Sequence, residues 1–294
     1  MIIFGMPFAL VVSQLLLGMI NGAFYATLSL GLAVIFGTLG IINFVHGALF
    51  MMGAYVSWML LQWVGLGYWP ALILSPLIVG LLAALLEKVV ISRLYKLDHV
   101  YAFLLTFGVA MMIEALFRNI FGSAGRPYAV PELLRGGVDL DFMILPLYRL
   151  WVVVVSLVLC VATWYAIEKT SLGAKLRAAT ENASIVQALG VNVPRLMTLT
   201  YAGGAALAAF AGVLAAPIYS VSAHMGTDVV IVVFAVVVIG GMGSIKGSVI
   251  AGFALGVIEG LTRVVYPESS STVIFLVMAI VLLIRPRGLF GRGV

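Results

Sequence analysis

Charge is scarce in this sequence of 294 residues, and its scarcity excludes most protein classes. Asp, Glu, Lys and Arg together make up 9% of the chain, and none of them occurs between residues 1 and 86. A soluble domain of this size carries about 25% charged residues. An uncharged segment of this length cannot form a solvated domain, so the composition excludes a soluble globular protein.

Cysteine is also rare, and no basic segment precedes the first apolar run. The single cysteine, Cys160, lies inside an apolar run, so it is predicted to be a small core residue without a disulfide partner. No basic residue precedes the first apolar run, unlike in a signal peptide. The sequence pI is about 9.4, but the basic residues lie beside apolar runs, which indicates membrane topology and no nucleic-acid partner.

Long apolar runs are abundant. Hydrophobic residues make up 64% of the chain, and one membrane crossing needs about 20 mostly apolar residues. The pattern predicts an all-α fold: a polytopic integral membrane helix bundle of about 8–9 spans, forming one transmembrane domain over residues 1–294. The predicted spans are 8–36, 47–63, 69–90, 101–118, 150–167, 197–216, 229–239, 247–265 and 273–284.

Two of these spans have unusual lengths. The span 8–36 is long enough to be one tilted helix or two pieces. The span 229–239 is short enough to enter the membrane and return, which irregular backbone can do where protein or a cavity surrounds it.

The distribution of Lys and Arg predicts the orientation of the spans. Three joins, at 88–99, 168–196 and 240–246, and the tail from residue 285 carry eleven of the sixteen basic residues. Because cytoplasmic loops are enriched in Lys and Arg, we expect these joins and the C-terminus in the cytoplasm. The N-terminus and the loop 119–149 are then expected outside. The eleven residues are Lys88, Arg93, Lys96, Lys169, Lys175, Arg177, Arg195, Lys246, Arg285, Arg287 and Arg292.

Small residues recur at a spacing of four in two of the spans. Gly252, Gly256 and Gly260 share one helix face, and in lipid such stripes let two helix backbones approach closely. We predict a helix-packing role for this stripe, either within one subunit or at a dimer interface. The second stripe consists of Gly204, Ala208, Gly212 and Ala216.

Polar side chains inside or directly beside the predicted spans are few, and each is a functional candidate because placing one in lipid is costly. Asn21, Asn43 and His46 lie in the uncharged region, and we hypothesise that they line a translocation path. A capping role is the alternative for His46. No second His, Cys or carboxylate lies near it at metal-ligand spacing, so no metal site is predicted.

Two acidic residues inside the spans each have an arginine four positions further on. Glu114 is followed by Arg118, and Glu259 by Arg263. Because residues four apart are neighbours on a helix surface, both pairs are predicted to be ion pairs within one helix.

The sequence carries no nucleotide-binding or catalytic motif. The stretch GGMGSIKGS at 240–248 comes nearest to a phosphate-binding loop, but Lys246 precedes Gly247, so the order is wrong. We interpret the stretch as a tight glycine turn. No Ser-His-Asp or HExxH pattern occurs either, so the chain is predicted to be no enzyme and to bind no cofactor of its own.

The stretch 168–196 is the longest of the joins expected in the cytoplasm. Thr170 or Ser171 is placed to cap a short helix that extends to Thr180. A second short helix is predicted over 182–189, stopping at Gly190. Pro194 suits the first turn of the next span.

The second short helix is predicted to be a docking element. Ile185, Ala188 and Leu189 fall on one of its faces, with Arg177 and Glu181 as a polar rim. An apolar anchor with a polar rim is how a small interface obtains its affinity. The alternative is a helix that lies on the lipid surface.

Four motifs, in this order along nearly the whole chain, resemble those of the permease subunits of branched-chain amino acid ABC importers. The size resembles that of the shorter of the two permeases in such systems. The motifs are NG at 21–22 with Gly31, Gly37 and INFVHG at 42–47; RA at 177–178 with EN at 181–182, ALG at 188–190 and Arg195; GGMGS at 240–244 with Gly247; and RPRGLFG at 285–291.

The resemblance implies a partner permease, two cytoplasmic ATPase subunits and an extracytoplasmic substrate-binding protein, in a bacterial cytoplasmic membrane. It also implies that 168–196 contains the ATPase-coupling helix. The general importer motif has Glu-Ala-Ala, three residues and then Gly, whereas here the gap before Gly190 is longer. The predicted ATPase-coupling residues, from this resemblance and from the helix face, are Arg177, Glu181, Asn182, Ile185, Ala188, Leu189 and Gly190.

Two other functional classes remain open at this point. A secondary transporter or channel for a small polar solute, such as urea or an amide, would need no ATPase-docking loop, and it would usually show paired carboxylates for a coupling ion. A non-transporting scaffold is the second alternative. Branched-chain amino acids are the substrates that the resemblance implies, and urea, amides and other amino acids stay possible.

Overall fold

The computed structural model describes residues 2–3, 6–95 and 99–291, and this part of the chain is mainly helical. The predicted all-α membrane fold is confirmed. Lys96 and Arg292, two of the basic residues used for the orientation, lie outside the described residues. The helices are α1 (Phe8–Leu39), α2 (Val45–Val64), α3 (Tyr68–Val89), α4 (His99–Phe121), α5 (Leu147–Lys169), α6 (Ser171–Glu181), α7 (Ala183–Ala188), α8 (Val193–Ala215), α9 (Met225–Gly240), α10 (Ile245–Val265) and α11 (Val273–Ile284).

Short strands and 3-10 helices occupy some of the joins. Strand β1 (Ile2–Ile3) pairs antiparallel with β2 (Met6–Pro7), and β3 (Gly137–Asp139) pairs antiparallel with β4 (Ile144–Pro146). The β3–β4 hairpin lies in the polar loop 119–149, for which no strand is predicted. The 3-10 helices are Ile91–Leu94, Glu132–Leu134 and Pro267–Ser269.

Seven helices in the described part are long and apolar enough to cross a membrane, namely α1 to α5, α8 and α10. The expected number is about 8–9. The difference comes from α9 and α11, which have 16 and 12 residues and are therefore only about 24 and 18 Å long. The structure shows α1 as one continuous helix of 32 residues, so the two-piece alternative is wrong.

The first of two compact units comprises Met1–Ser29, Val130–Cys160 and Val232–Val294. Its glycine stripe faces α1 of the same chain. A Cβ built on Gly256 would lie 2.4 Å from the carbonyl oxygen of Gly18, and one on Gly260 would lie 2.4 Å from that of Gln14. Only glycine permits this backbone contact. The core beside it consists of Ala235, Val236, Ile239, Ala251, Leu255 and Ile274.

A glycine turn in this unit joins two of the sequence motifs. Gly241 has a φ of +101°, a conformation that residues with a side chain rarely adopt. The amide groups of Leu289 and Phe290 donate to the carbonyls of Ile239 and Gly240 at 2.8 and 3.1 Å. The RPRGLFG tail therefore binds to the GGMGS turn, whose interpretation as a tight turn is confirmed.

The second unit comprises Leu30–Ala129 and Val161–Ile231. Its central helix is α8, against which α2 and α3 pack. Small residues again permit the contact, because a Cβ on Gly212 would lie 2.0 Å from the carbonyl oxygen of Phe50. The segment 168–196 is part of this unit and leads directly into α8.

Candidate functional site

The join 168–196 contains the two predicted short helices, α6 and α7. Asn182 caps α7, since its Oδ1 accepts a hydrogen bond of 3.1 Å from the amide of Ile185. Gly190 has a φ of +86° and follows the helix as the predicted stop signal. Asn192 caps α8 by accepting from the amide of Arg195 at 3.0 Å, and Pro194 lies in the first turn as predicted.

The α7 patch, formed by Ile185, Ala188 and Leu189, is exposed. Ile185 is 58% and Leu189 78% accessible, and Ala188 is exposed between them. Val186 points the other way and is 7% accessible. The helix therefore buries one side and presents an apolar surface on the other.

The buried side of α7 connects it to its neighbours. Val186 packs with Ala179 of α6 and Val193 of α8 in a small apolar cluster. Because Val193 is the first residue of α8, this cluster joins α7 to the start of that long helix.

Both predicted rim residues lie on α6, but one turns away from the α7 patch and the other lies next to α7. Arg177 turns back toward α5, where its Nη1 donates to the carbonyl of Ile167 at 2.9 Å and lies 3.9 Å from Oε2 of Glu168. Glu181 is exposed at the last position of α6, next to the cap of α7. Gly173 explains the tight α5–α6 turn, because a Cβ there would meet the carbonyl oxygen of Ile167 at 1.6 Å.

The predicted cap of α6 is wrong in one respect. Thr170 lies at the N-cap position, but its side chain makes no cap hydrogen bond. Its hydroxyl donates to the carbonyl of Ala166 at 2.5 Å, the backward bond to residue i−4 that threonine commonly makes at a helix end.

A buried carboxylate at the end of α3 is a residue that the sequence analysis missed. Glu87 is 1% accessible and accepts hydrogen bonds from the hydroxyls of Tyr95 and of Thr198, the latter at 2.6 Å. Burial and the neighbouring Glu87 carboxylate raise the pKa of Tyr95 far above its usual range, so its hydroxyl remains a donor. The sequence does carry one signal for this residue, because Glu87 is the first charged residue after 86 uncharged ones.

Asn43 and His46 lie in the second unit, whereas Asn21 belongs to the first. Asn43 is 2% accessible, and its Oδ1 accepts from the hydroxyl of Tyr201 at 3.4 Å. His46 is fully buried in the first turn of α2 and packs near Gly31. Asn21 is half-buried on α1.

Of the two predicted ion pairs within a helix, one is confirmed and one is wrong. Arg263 Nη2 lies 2.5 Å from Oε1 of Glu259. The Glu114 carboxylate, in contrast, contacts two residues from another part of the same unit. Nδ1 of His224 lies 2.9 Å from its Oε1, and the Thr227 hydroxyl donates to its Oε2. The partners approach from the start of α9, which sequence spacing cannot reveal. No three His, Cys, Asp or Glu side chains in the described ranges are grouped to hold a metal ion.

The sequence matches one protein family over residues 14–283, described as the branched-chain amino acid transport system permease component. The high-affinity branched-chain amino acid transport system permease protein LivH of Salmonella typhimurium is 30% identical, with 95% of each chain covered. The corresponding protein BraD of Pseudomonas aeruginosa is 28% identical over the same shares.

A second, longer permease protein is also similar. LivM of Escherichia coli, named as a high-affinity branched-chain amino acid transport system permease protein, is 29% identical over 90% of this chain and 67% of its own length. No solved structure matches the chain.

Proposed function

The chain belongs to the family of branched-chain amino acid transport system permease components, and from this membership we propose that it is the membrane-spanning permease subunit of an ATP-binding-cassette importer. The proposed cargo is branched-chain or related amino acids. The seven long apolar helices make it a multi-pass membrane protein. A carrier of this kind supplies the path, while separate subunits hydrolyse ATP.

The α7 patch is the observation that carries this proposal. Exposed Ile185 and Leu189 form an apolar surface outside the long helices, and such a surface fits an apolar groove on another protein. The cluster of Ala179, Val186 and Val193 joins that surface to α8. A cytoplasmic ATPase that holds α7 can therefore move α8 and the helices packed on it.

Further subunits complete the proposed importer. A second permease is expected because both LivH and LivM, two permeases of different length, resemble this chain. Two cytoplasmic ATPase subunits and an extracytoplasmic binding protein follow from the importer class. We place the complex in the bacterial cytoplasmic membrane, with the N-terminus outside and the α7 patch and C-terminus in the cytoplasm.

The translocation path is proposed to include Asn21, Asn43 and His46. These side chains provide hydrogen-bonding groups in a region without charge. A zwitterion that leaves water needs such groups to offset its lost hydration.

Reconstitution tests the function directly. The chain is assembled in proteoliposomes with the proteins encoded beside it, and uptake of labelled leucine, isoleucine, valine and urea is measured with and without ATP. We expect ATP-dependent uptake of the three amino acids and none of urea. Uptake of urea or amides without any ATPase subunit would instead support a channel or a secondary transporter.

A further inference from the structure

A cavity of about 190 Å³ lies within the second unit, between α2, α4 and the segment that enters α9. An apolar cavity of about 150 Å³ is known to hold a benzene molecule. The cavity therefore has room for a molecule of the size of a small aliphatic amino acid.

The cavity exists because two helices begin side by side. A Cβ on Gly226, in the first turn of α9, would lie 2.3 Å from the carbonyl oxygen of Gly47 in the first turn of α2. Side chains at these positions would push the helix starts apart or fill the space. Phe44 and Phe107 close another side in an edge-to-face contact with ring centroids 6.0 Å apart.

The lining is apolar with one charged exception. Met51, Phe107 and Val230 present hydrocarbon or aromatic surface, and Glu114 is the single charged side chain among the lining residues. The Glu114 side chain is 20% accessible. An isolated carboxylate in apolar surroundings is costly unless a cation or several donors approach it.

The Glu114 carboxylate can accept further hydrogen bonds. His224 and Thr227 each approach one of its oxygens, whereas a carboxylate offers about four acceptor positions. Both existing partners hold the carboxylate in place, and Thr227 itself also lines the cavity.

We propose that this cavity is a solute site, in which Glu114 binds the ammonium group of the transported amino acid and the apolar walls hold its branched side chain. The inference rests on the proposed transport function and deepens it by locating the substrate. An ammonium group has three donors and a positive charge that matches the carboxylate. Neutral urea would bring no positive charge to the carboxylate and would place a polar molecule against the apolar walls.

Thiol protection in the reconstituted complex tests the site. Ala110→Cys places a thiol in the cavity wall, and native Cys160 is 4% accessible and so reacts little. N-ethylmaleimide labelling is followed with leucine, with 3-methylbutylamine, which lacks the carboxylate, and with 4-methylpentanoate, which lacks the ammonium group. We expect the first two to slow labelling and the third to have no effect. In the Glu114→Gln background, the leucine concentration needed for protection should rise about tenfold or more.

Two neighbouring methionines provide a matched pair of variants. Met111 lines the cavity, whereas Met112, on the same helix and 65% accessible, does not. Met111→Trp should abolish leucine protection and reduce leucine uptake more than alanine uptake, while Met112→Trp should leave both unchanged.

The outcomes separate this inference from the proposed function. ATP-driven leucine uptake by the wild type together with equal protection by 4-methylpentanoate would overturn the site and leave the function standing. Equal effects of Met111→Trp and Met112→Trp would do the same. A wild-type complex that imports no amino acid would overturn the proposed function itself.

Discussion

Thr198 on α8 donates a hydrogen bond of 2.6 Å to the carboxylate of Glu87 on α3. The two residues are 111 positions apart in the chain, and Glu87 is 1% accessible. Thr198 lies in the second turn of the helix that follows α7. The bond thus ties the start of α8, where a movement of α7 would arrive, to the neighbouring helix.

Removing the Thr198 hydroxyl should destabilise this junction. In Thr198→Val the buried carboxylate loses the Thr198 donor and keeps the Tyr95 donor, at a cost of about 1–3 kcal/mol. We expect a lower unfolding temperature in detergent, measured by tryptophan fluorescence. Thr200→Val is the control, because the Thr200 hydroxyl donates to the carbonyl of Leu196 in the same helix. Equal melting of the two variants would show that the link to Glu87 contributes little.

Enlarging Gly256 should disrupt the packing of α10 on α1. The Cβ of Gly256→Leu would meet backbone atoms of Gly18 and Gly22 at 2.4 Å, and backbone cannot move aside as a side chain can. We expect a loss of about 1–3 kcal/mol or more and a lower yield of folded protein on size-exclusion chromatography. Gly108→Leu, where a Cβ meets nothing within 4 Å, should keep the wild-type yield. Normal yield of the Gly256 variant would mean that the two helices can separate at little cost.

The sequence predicts these local features well, because each depends on residues close together in the chain. The stripe at Gly252, Gly256 and Gly260, the stop at Gly190 and the glycine turn at Gly241 all follow from spacing or from the conformational freedom of glycine. The sequence cannot say which helix the stripe meets. The partner is α1, which lies at the other end of the chain and cannot be identified from the spacing of the stripe.

A charge in the α7 patch should prevent binding of the ATPase. Ile185→Asp would place an unpaired charge in an apolar groove, at a cost of about 3–5 kcal/mol. We expect the variant to insert normally, to lose the ATPase on purification and to show no ATP-driven uptake. Gln187→Asp adds the same charge to α7 outside the patch and should retain the ATPase. Retention by both variants at equal expression would place the docking surface elsewhere.

The orientation can be measured with single introduced thiols. Ser184→Cys lies at the start of α7 and Ser123→Cys in the loop after α4, and both positions are exposed. A membrane-impermeant maleimide should label the second in intact cells and the first only in inverted vesicles. Labelling of both from one side would contradict the orientation derived from the basic residues.

The proposed path predicts a loss of uptake without a loss of assembly. Asn43→Ala, which removes the partner of the Tyr201 hydroxyl, is expected to lower ATP-driven uptake at unchanged complex yield, as are Asn21→Ala and His46→Ala. Uptake and substrate preference are measured in the same proteoliposomes. Wild-type behaviour of all three variants would remove these residues from the path.

The polar contacts between helices could not be predicted, for a physical reason. Glu114 and Thr227 are 113 residues apart, so their contact depends on how α4 and α9 pack. The predicted partner, Arg118, satisfied the spacing rule within one helix, but the tertiary contacts with His224 and Thr227 took precedence. The β3–β4 hairpin was missed similarly, since its strands have only three residues each and carry a weak pattern.

The contact between α1 and α10 can form only after α10 has been synthesised. Tyr25 donates to the Glu259 carboxylate at 2.8 Å from a position 234 residues earlier. At a synthesis rate of about 5–20 residues per second, α1 waits roughly 10–50 s for its partner helix. During this interval the face of α1 that contains Gly18 and Gly22 lacks its native partner, α10. A ribosome that stalls before α10 therefore leaves the face of α1 at Gly18 and Gly22 without the helix on which it packs in the folded chain.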